Sequence, residues 1–319
     1  MENIVYIKKV DNYDEILKGR YKNISVFWKK IIFMYKNMFN IITKKKIEDK
    51  NIWIVPIQDK YSENKMNNII KKMSLCEKNI YVLPESLLHG ELLRIMDRFN
   101  ISYITGKEIK RYLVIKILKY INDIKSEKLI NNEITILATD NSEFNINIIE
   151  KLSKLVKYIK IVSPNIYKFK KIEEKLYNEY GIGIQFSNSY KKSLVKSKII
   201  VNLDYNKIDI NEYEIYDKAI LINISKEEIK IKNKLFNGIV INSCNINFKK
   251  ELREKFIKIN LYHGFNNLLL YESIISKEMN IEKVYNKIEE DKIVILNVIG
   301  NNGIISRDEF KNIFKRLDK

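Results

Sequence analysis

Glu133-Ile-Thr-Ile-Leu-Ala-Thr139 runs into the turn Asp140-Asn141-Ser142, and Ile148, Ile149, Leu152, Leu155, Val156 and Ile159 follow. The first run is apolar, β-branched and too short for a buried helix, which suits a strand covered on both faces. The later residues repeat at helical spacing and make one apolar face. The alternation then continues. Ile161-Val162 is a second strand, ended by Ser163-Pro164, and Phe169, Ile172, Leu176 and Tyr180 form a second helical stripe. Gly181 closes that stripe as a C′ residue. Residues 183–186 read as a third strand, 189–196 as a short helix and 198–203 as a fourth strand, with 218–224 and 238–242 as the last two. Strands alternating with helices imply right-handed crossovers and a parallel sheet.

Six strands in this rhythm, the last of them without long helices between, resemble the Rossmann domains of dehydrogenases. That resemblance implies a dinucleotide seated on a glycine-rich first turn, G-x-G-x-x-G, at a helix N-terminus. This chain departs from the pattern. The corresponding residues are Thr139-Asp140-Asn141-Ser142-Glu143-Phe144-Asn145, with no glycine. Asp140 and Glu143 place negative charge where a phosphate would sit. The second strand, which normally ends in a ribose-binding acid, ends here in Ser163-Pro164-Asn165. The expectation is therefore a degenerate dinucleotide loop with no cofactor, NAD(P) being the alternative. Asp140-Asn141-Ser142 also reads as a plain turn with an N-cap. The functional reading makes Thr139, Asp140, Asn141, Ser142, Ser163, Asn202, Asp204, Asn223 and Ser225 the polar rim of a ligand crevice at the strand C-termini.

Composition narrows the classes. The 319 residues leave room for two cores, and 45% hydrophobic content with 20 Tyr and 13 Phe excludes a disordered chain. Only 9 Gly and 3 Pro leave little for flexible linkers. Ile, Lys and Asn dominate, as in a low-GC bacterial genome. The net charge of +18 is concentrated: residues 1–50 carry 12 basic against 6 acidic, and 151–200 carry 12 against 3. A basic cluster suggests nucleic acid or an anionic surface. Against that, 151–200 has no Arg, the residue that forks onto phosphates and bases. Solvated lysine faces, inflated by codon usage, are the plainer explanation. Cys76 and Cys244 sit in no metal or redox motif and read as small buried hydrophobes. Without a signal peptide or a long apolar run, a cytoplasmic protein with no transmembrane segment is expected.

Upstream, Asn3-Ile-Val-Tyr-Ile7 opens as a strand, and residues 24–42 carry an amphipathic helical stripe flanked by lysines. A core helix is preferred over a membrane-surface one. Residues 51–55 and 79–83 read as strands stopped by Pro56 and Pro84, 63–73 and 86–99 as helices, 101–104 as a strand and 107–125 as a long linking helix. Downstream, 248–259 and 263–275 are helices, 291–299 an apolar run, 300–303 a turn, and Ser306-Arg-Asp-Glu309 a capping box for a last helix over 308–317. An EF-hand is rejected there because the alternating acidic ligands are absent.

This order gives a small α/β domain over 1–130, a Rossmann-like domain over 131–260 and closing helices over 261–319 that pack back on the first domain. It resembles two-domain amino-acid-dehydrogenase-like enzymes such as shikimate dehydrogenase and glutamyl-tRNA reductase, which implies a ligand in an interdomain cleft. None of their catalytic motifs is matched, so no catalytic residue is assigned. His89 and His263 read as structural, with His89, beside Glu85 and Ser86, the better catalytic candidate of the two. Metal-ligand spacing, a Walker loop and a nucleophile elbow are all missing. Glu173-Glu174, Glu227-Glu228 and Glu289-Glu290 are solvated pairs. Three readings stand: a non-catalytic Rossmann-fold protein holding a partner or small ligand, an NAD(P)-dependent oxidoreductase with an atypical loop, and a lysine-rich nucleic-acid or anionic-surface binder using 151–200.

Overall fold

A computed structural model describes residues 3–9, 25, 27, 28, 31, 43–47, 50–57, 80–84, 89–98, 102–125, 133–189, 191–259, 261, 262, 265–275 and 280–317. The expected helix over 63–73, Cys76, His263 and the junction at 127–132 lie outside these residues, as does most of the 24–42 stripe. Within that stripe Phe27 and Trp28 are exposed, not in a core. The chain divides into two compact units, Met1–Gly106 with Lys250–Glu278, and Lys107–Lys249 with Met279–Lys319.

The first unit holds a four-stranded sheet in the order β2-β3-β1-β4. Its strands are β1 (Asn3–Lys9), β2 (Thr43–Ile47), β3 (Lys50–Ile57) and β4 (Ile80–Pro84). Strands β3 and β4 run parallel to β1, and β2 antiparallel to β3. Strand β4 ends at Pro84 as expected, whereas β3 includes Pro56 and ends one residue beyond it. At Pro56 the antiparallel β2 partner has already ended, since Thr43 pairs with Ile54. The lysine-rich β2 was not expected as a strand. Helix α1 (His89–Arg98) follows β4, and the described residues 102–104 contribute a bridge between Tyr103 and Val82.

The second unit opens with α2 (Lys107–Tyr112) and α3 (Val114–Lys125), two helices where one was expected, broken at Leu113. Their place in this unit puts its start at Lys107, upstream of the junction read from sequence. Next come β5 (Glu133–Leu137), α4 (Glu143–Ser153), β6 (Tyr158–Val162), α5 (Lys170–Tyr180) and β7 (Ile184–Ser187). After them are β8 (Ile199–Asn202), the short α6 (Lys207–Ile210), β9 (Ile220–Asn223) and β10 (Ile239–Ile241). The six-stranded sheet has the order β10-β9-β8-β5-β6-β7, every pair parallel. Counted within the unit this is 3-2-1-4-5-6, the Rossmann order. The fold is α/β with a Rossmann-like parallel sheet.

Strands β5, β8, β9 and β10 are buried on both faces, except at Glu133, which explains their near-continuous β-branched runs. One face is closed by Leu194, Tyr205, Ile210, Tyr213 and Ile229, packed on Leu137, Ile200 and Leu221. Residues 191–196 there form turns and not the expected helix; Ser193 Oγ binds Ser187 Oγ and the Ser189 carbonyl, the local bonding by which serine competes with a helix. Helix α5 ends as its sequence requires. Gly181 has φ +66°, and the Gly181 and Ile182 amides donate to the Tyr177 and Leu176 carbonyls.

Past β10 the chain forms β11 (Ser243–Asn247) and, in the first unit, α7 (Lys250–Lys258) and α8 (Asn267–Ile274). It then re-enters the second unit as α9 (Ile281–Glu290), β12 (Val294–Gly300), β13 (Gly303–Ile305) and α10 (Arg307–Leu317). Strands β11, β12 and β13 make a small antiparallel sheet whose β12 meets β10 through the Asn242 amide and the Ile299 carbonyl. The capping box forms as read: Ser306 N donates to Glu309 Oε2 at 2.8 Å and Glu309 N to Ser306 Oγ at 3.3 Å. No helix among the described residues is long and apolar enough to cross a membrane.

Candidate functional site

The turn after β5 lies at the switch point, where the chain leaves β5 for β6 on one side while β8 flanks it on the other. Open α/β sheets bind ligands outside this point. Locally the turn follows its sequence. Asp140 Oδ1 accepts from Ser142 N at 3.0 Å, and Ser142 caps α4 by accepting from Asn145 N at 3.4 Å. Asp204, just past β8, then reaches across. Its Oδ1 accepts from Thr139 N at 2.7 Å, and its Oδ2 from Asp140 N at 3.4 Å and Asn145 Nδ2 at 2.9 Å. Asn145 Nδ2 also lies 2.9 Å from Asp140 Oδ1, so one buried carboxamide spans two carboxylates. The carboxylates hold that amide one way round, leaving Asn145 Oδ1 buried with no partner among the described residues.

The two acids are pushed in opposite directions. The Ser142 amide, chiefly, holds Asp140 below its ordinary 3.8, with Asn145 and Lys168 assisting. Burial raises Asp204 above 3.8 and the Asp140 charge adds to this, while the bonds from Thr139 and Asn145 oppose it. The linkage signs follow. Asp140 contributes stability that is present above 3.8 and lost as pH falls through its folded pKa. Asp204 contributes stability that is present below 3.8 and lost as pH rises through its folded pKa. A carboxyl-carbon NMR titration should therefore find Asp204 titrating above Asp140, and Asp140→Asn should shift Asp204 downward. Coincident titrations would remove the coupling.

A second network joins other rim residues. Asn202, Asn223 and Asn242 stand in line at the ends of β8, β9 and β10, with Asn202 directly opposite Asn223. Asn202 Nδ2 donates to Asn223 Oδ1 at 2.9 Å, Asn223 Nδ2 to Asn242 Oδ1 at 2.8 Å, and Asn242 Nδ2 to Asn301 Oδ1 at 2.9 Å. Asn202 also binds both backbone groups of Tyr205, and Asn242 both of Ile229. Ser225 donates its amide and hydroxyl to Asn223 Oδ1, and its carbonyl accepts from the buried Lys110 Nζ at 2.9 Å. Burial pushes Lys110 down to about 8 and the neighbouring Cys244 thiol up to about 12.

The nine rim residues thus fall into separate groups. Thr139, Asp140, Ser142 and Asp204 share one cluster; Asn202, Asn223 and Ser225 belong to the buried ladder. Asn141 is exposed, and Ser163 is buried with its hydroxyl accepting from Asn165 N. Asn145, Asn242 and Lys110 were not singled out from sequence. Asn145 carried a signal, being the third helical residue after an Asp-Asn-Ser turn; Lys110 carried none. His89 opens α1 in the first unit. No cluster of metal-ligating side chains occurs among the described residues.

The turn has no glycine, and its amides are engaged by the chain's own acids. The amides of Thr139 and Asp140 are taken by one carboxylate and that of Ser142 by another, so an incoming pyrophosphate would meet two acids there. No protein-family model matches the sequence, and no curated protein does. Three solved structures have folds similar to this chain's. They are L-tryptophan dehydrogenase from Nostoc punctiforme (9% identity, 100% of this chain and 88% of that one, TM-score 0.32), shikimate dehydrogenase in complex with NADP+ (12%, 100% and 96%, 0.35) and L-alanine dehydrogenase (8%, 83% and 81%, 0.29).

Proposed function

We propose that the second unit is a Rossmann-type scaffold whose nucleotide seat is closed by its own Asp204, and that the protein serves as a binding module in a structural or regulatory role. Its ligand would be a protein partner or a small molecule, and NAD(P) would not be its cofactor. The observation that supports this is the Asp204 carboxylate on the Thr139 and Asp140 amides, an internal anion where the cofactor's phosphates would otherwise lie. An acid at this place repels the diphosphate that the rest of the sheet topology would accommodate. The alternative, an NAD(P)-dependent oxidoreductase with an atypical loop, draws on the strand order alone.

Thermal unfolding in NAD, NADH, NADP and NADPH separates the two. A ligand at 100 times its Kd stabilises by roughly 2.7 kcal/mol, a readable rise in Tm. No rise is expected with any of the four at millimolar concentration. A rise of several degrees with one dinucleotide would refute the closed-seat reading and send the search to substrates.

A further inference from the structure

The most exposed aromatic residues of the second unit gather in one segment. Tyr158, Tyr167, Tyr177 and Tyr180 are 61, 72, 66 and 42% exposed, and among the described residues no other tyrosine is exposed. The remaining described tyrosines, from Tyr6 to Tyr285, are buried or half-buried. Position has to account for these four.

They stand among exposed lysines: Lys154, Lys157, Lys168, Lys170, Lys171 and Lys175. Lys170 Nζ lies 5.1 Å from the centre of the Tyr167 ring, and Lys154 Nζ 5.2 Å from that of Tyr180. Helix α5 turns Ile172 and Leu176 inward behind Phe169. Steps of three and four residues then carry Tyr167, Lys170, Lys171, Glu174, Tyr177 and Tyr180 along the outside. The acids in this region are Glu173, Glu174 and Glu179 on the helix, Glu150, which is paired with Lys175, and Asp140 near Lys168. The 151–200 stretch keeps its excess of 12 basic residues over 3 acidic.

We infer that this tyrosine–lysine face binds single-stranded nucleic acid without sequence preference. Aromatic rings offer platforms on which any base can stack, and the lysines between them meet the phosphates as point charges. The absence of Arg from 151–200 suits that mode, because forked base readout is not required of it. A purely electrostatic patch would have no use for exposed rings.

The test is fluorescence anisotropy of the full-length protein with labelled dT30, its duplex with dA30, and heparin as a base-free polyanion. Binding of dT30 should exceed that of the duplex and weaken linearly in log–log salt plots. Tyr167→Ala with Tyr177→Ala should weaken dT30 about tenfold or more at unchanged salt slope. Lys170→Gln with Lys171→Gln should reduce the slope by roughly 1.4, two phosphates at about 0.7 each. All four positions are exposed, so unchanged Tm and circular dichroism are expected of both variants. The inference is overturned by failure to bind dT30 at 50 mM salt, by equal affinity for the duplex, or by tyrosine variants that bind dT30 as the wild type does. Heparin binding with those outcomes would mark a general anion patch.

Discussion

Asn223→Ala should lower the unfolding free energy by roughly 3–5 kcal/mol, a large part of the 5–15 typical of a domain. Asn223 is the middle rung of the ladder. Its Oδ1 accepts from Asn202 and twice from Ser225, and its Nδ2 donates to Asn242 and the Glu227 carbonyl. Truncation leaves several of these partners buried and unsatisfied at about 1–3 kcal/mol each, and relaxation recovers only some. Asn223→Asp is no rescue. It keeps the acceptor but turns the donor into a buried charge facing the Asn242 and Glu227 oxygens. Asn301→Ala, at the exposed end of the same ladder, should change stability by less than about 1 kcal/mol because water replaces the lost bond. Urea midpoints with unchanged m-values would report all three. If Asn223→Ala and Asn301→Ala shifted the midpoint equally, the ladder would not be a coupled network.

That ladder also shows where sequence reading ends. The strands of the parallel sheet announce themselves, because burial on both faces demands the runs Ile134–Leu137 and Ile220–Ile222, and the helices between them keep their stripes. Gly181 and the Ser306–Glu309 box are signalled by local chemistry and form as read. An asparagine at a strand end, by contrast, looks like any turn-former. Its meaning depends on register, and only the pairing of Asn202 with Asn223 turns two turn-formers into one network. The bond from Thr139 N to Asp204 likewise spans 65 residues and follows from β8 lying beside β5.

Other elements were missed for equally specific reasons. Strand β11, Ser-Cys-Asn-Ile-Asn, alternates polar and apolar residues too briefly to stand out, and β13 has three residues. Strand β2 is mostly lysine, an edge composition that reads as a solvated run. Helix α9 was missed although its signal is present: Ile281, Val284 and Ile288 are helically spaced, and Asn280 caps them by accepting from Lys283 N. The same Asn-rich composition that hid the ladder hid this cap.

Asp291→Ala should cost about 2–4 kcal/mol, the second large effect. Asp291 closes α9 and has no solvent exposure; Lys249 Nζ lies 2.7 Å from one of its oxygens and Lys287 Nζ 3.4 Å from the other. Its main chain is tied as well, since the Asp291 carbonyl accepts from Lys249 N at 2.9 Å. Lys249 ends the first stretch of the second unit, and Asp291 lies in the stretch that returns after Glu278. The pair therefore pins the returning segment to the body of its own unit across the residues that belong elsewhere. Both lysines are partly exposed and can swing into water, which keeps the penalty of an orphaned charge below that of a fully buried partner. Lys287→Met should cost less than Asp291→Ala, because Lys249 still compensates the acid. Salt discriminates the mechanism. A pair screened by solvent loses its worth in 1 M NaCl, whereas this buried one should keep most of it. Collapse of the wild-type–variant difference in high salt would show that the carboxylate is wetted and that the returning segment is held by its apolar contacts alone.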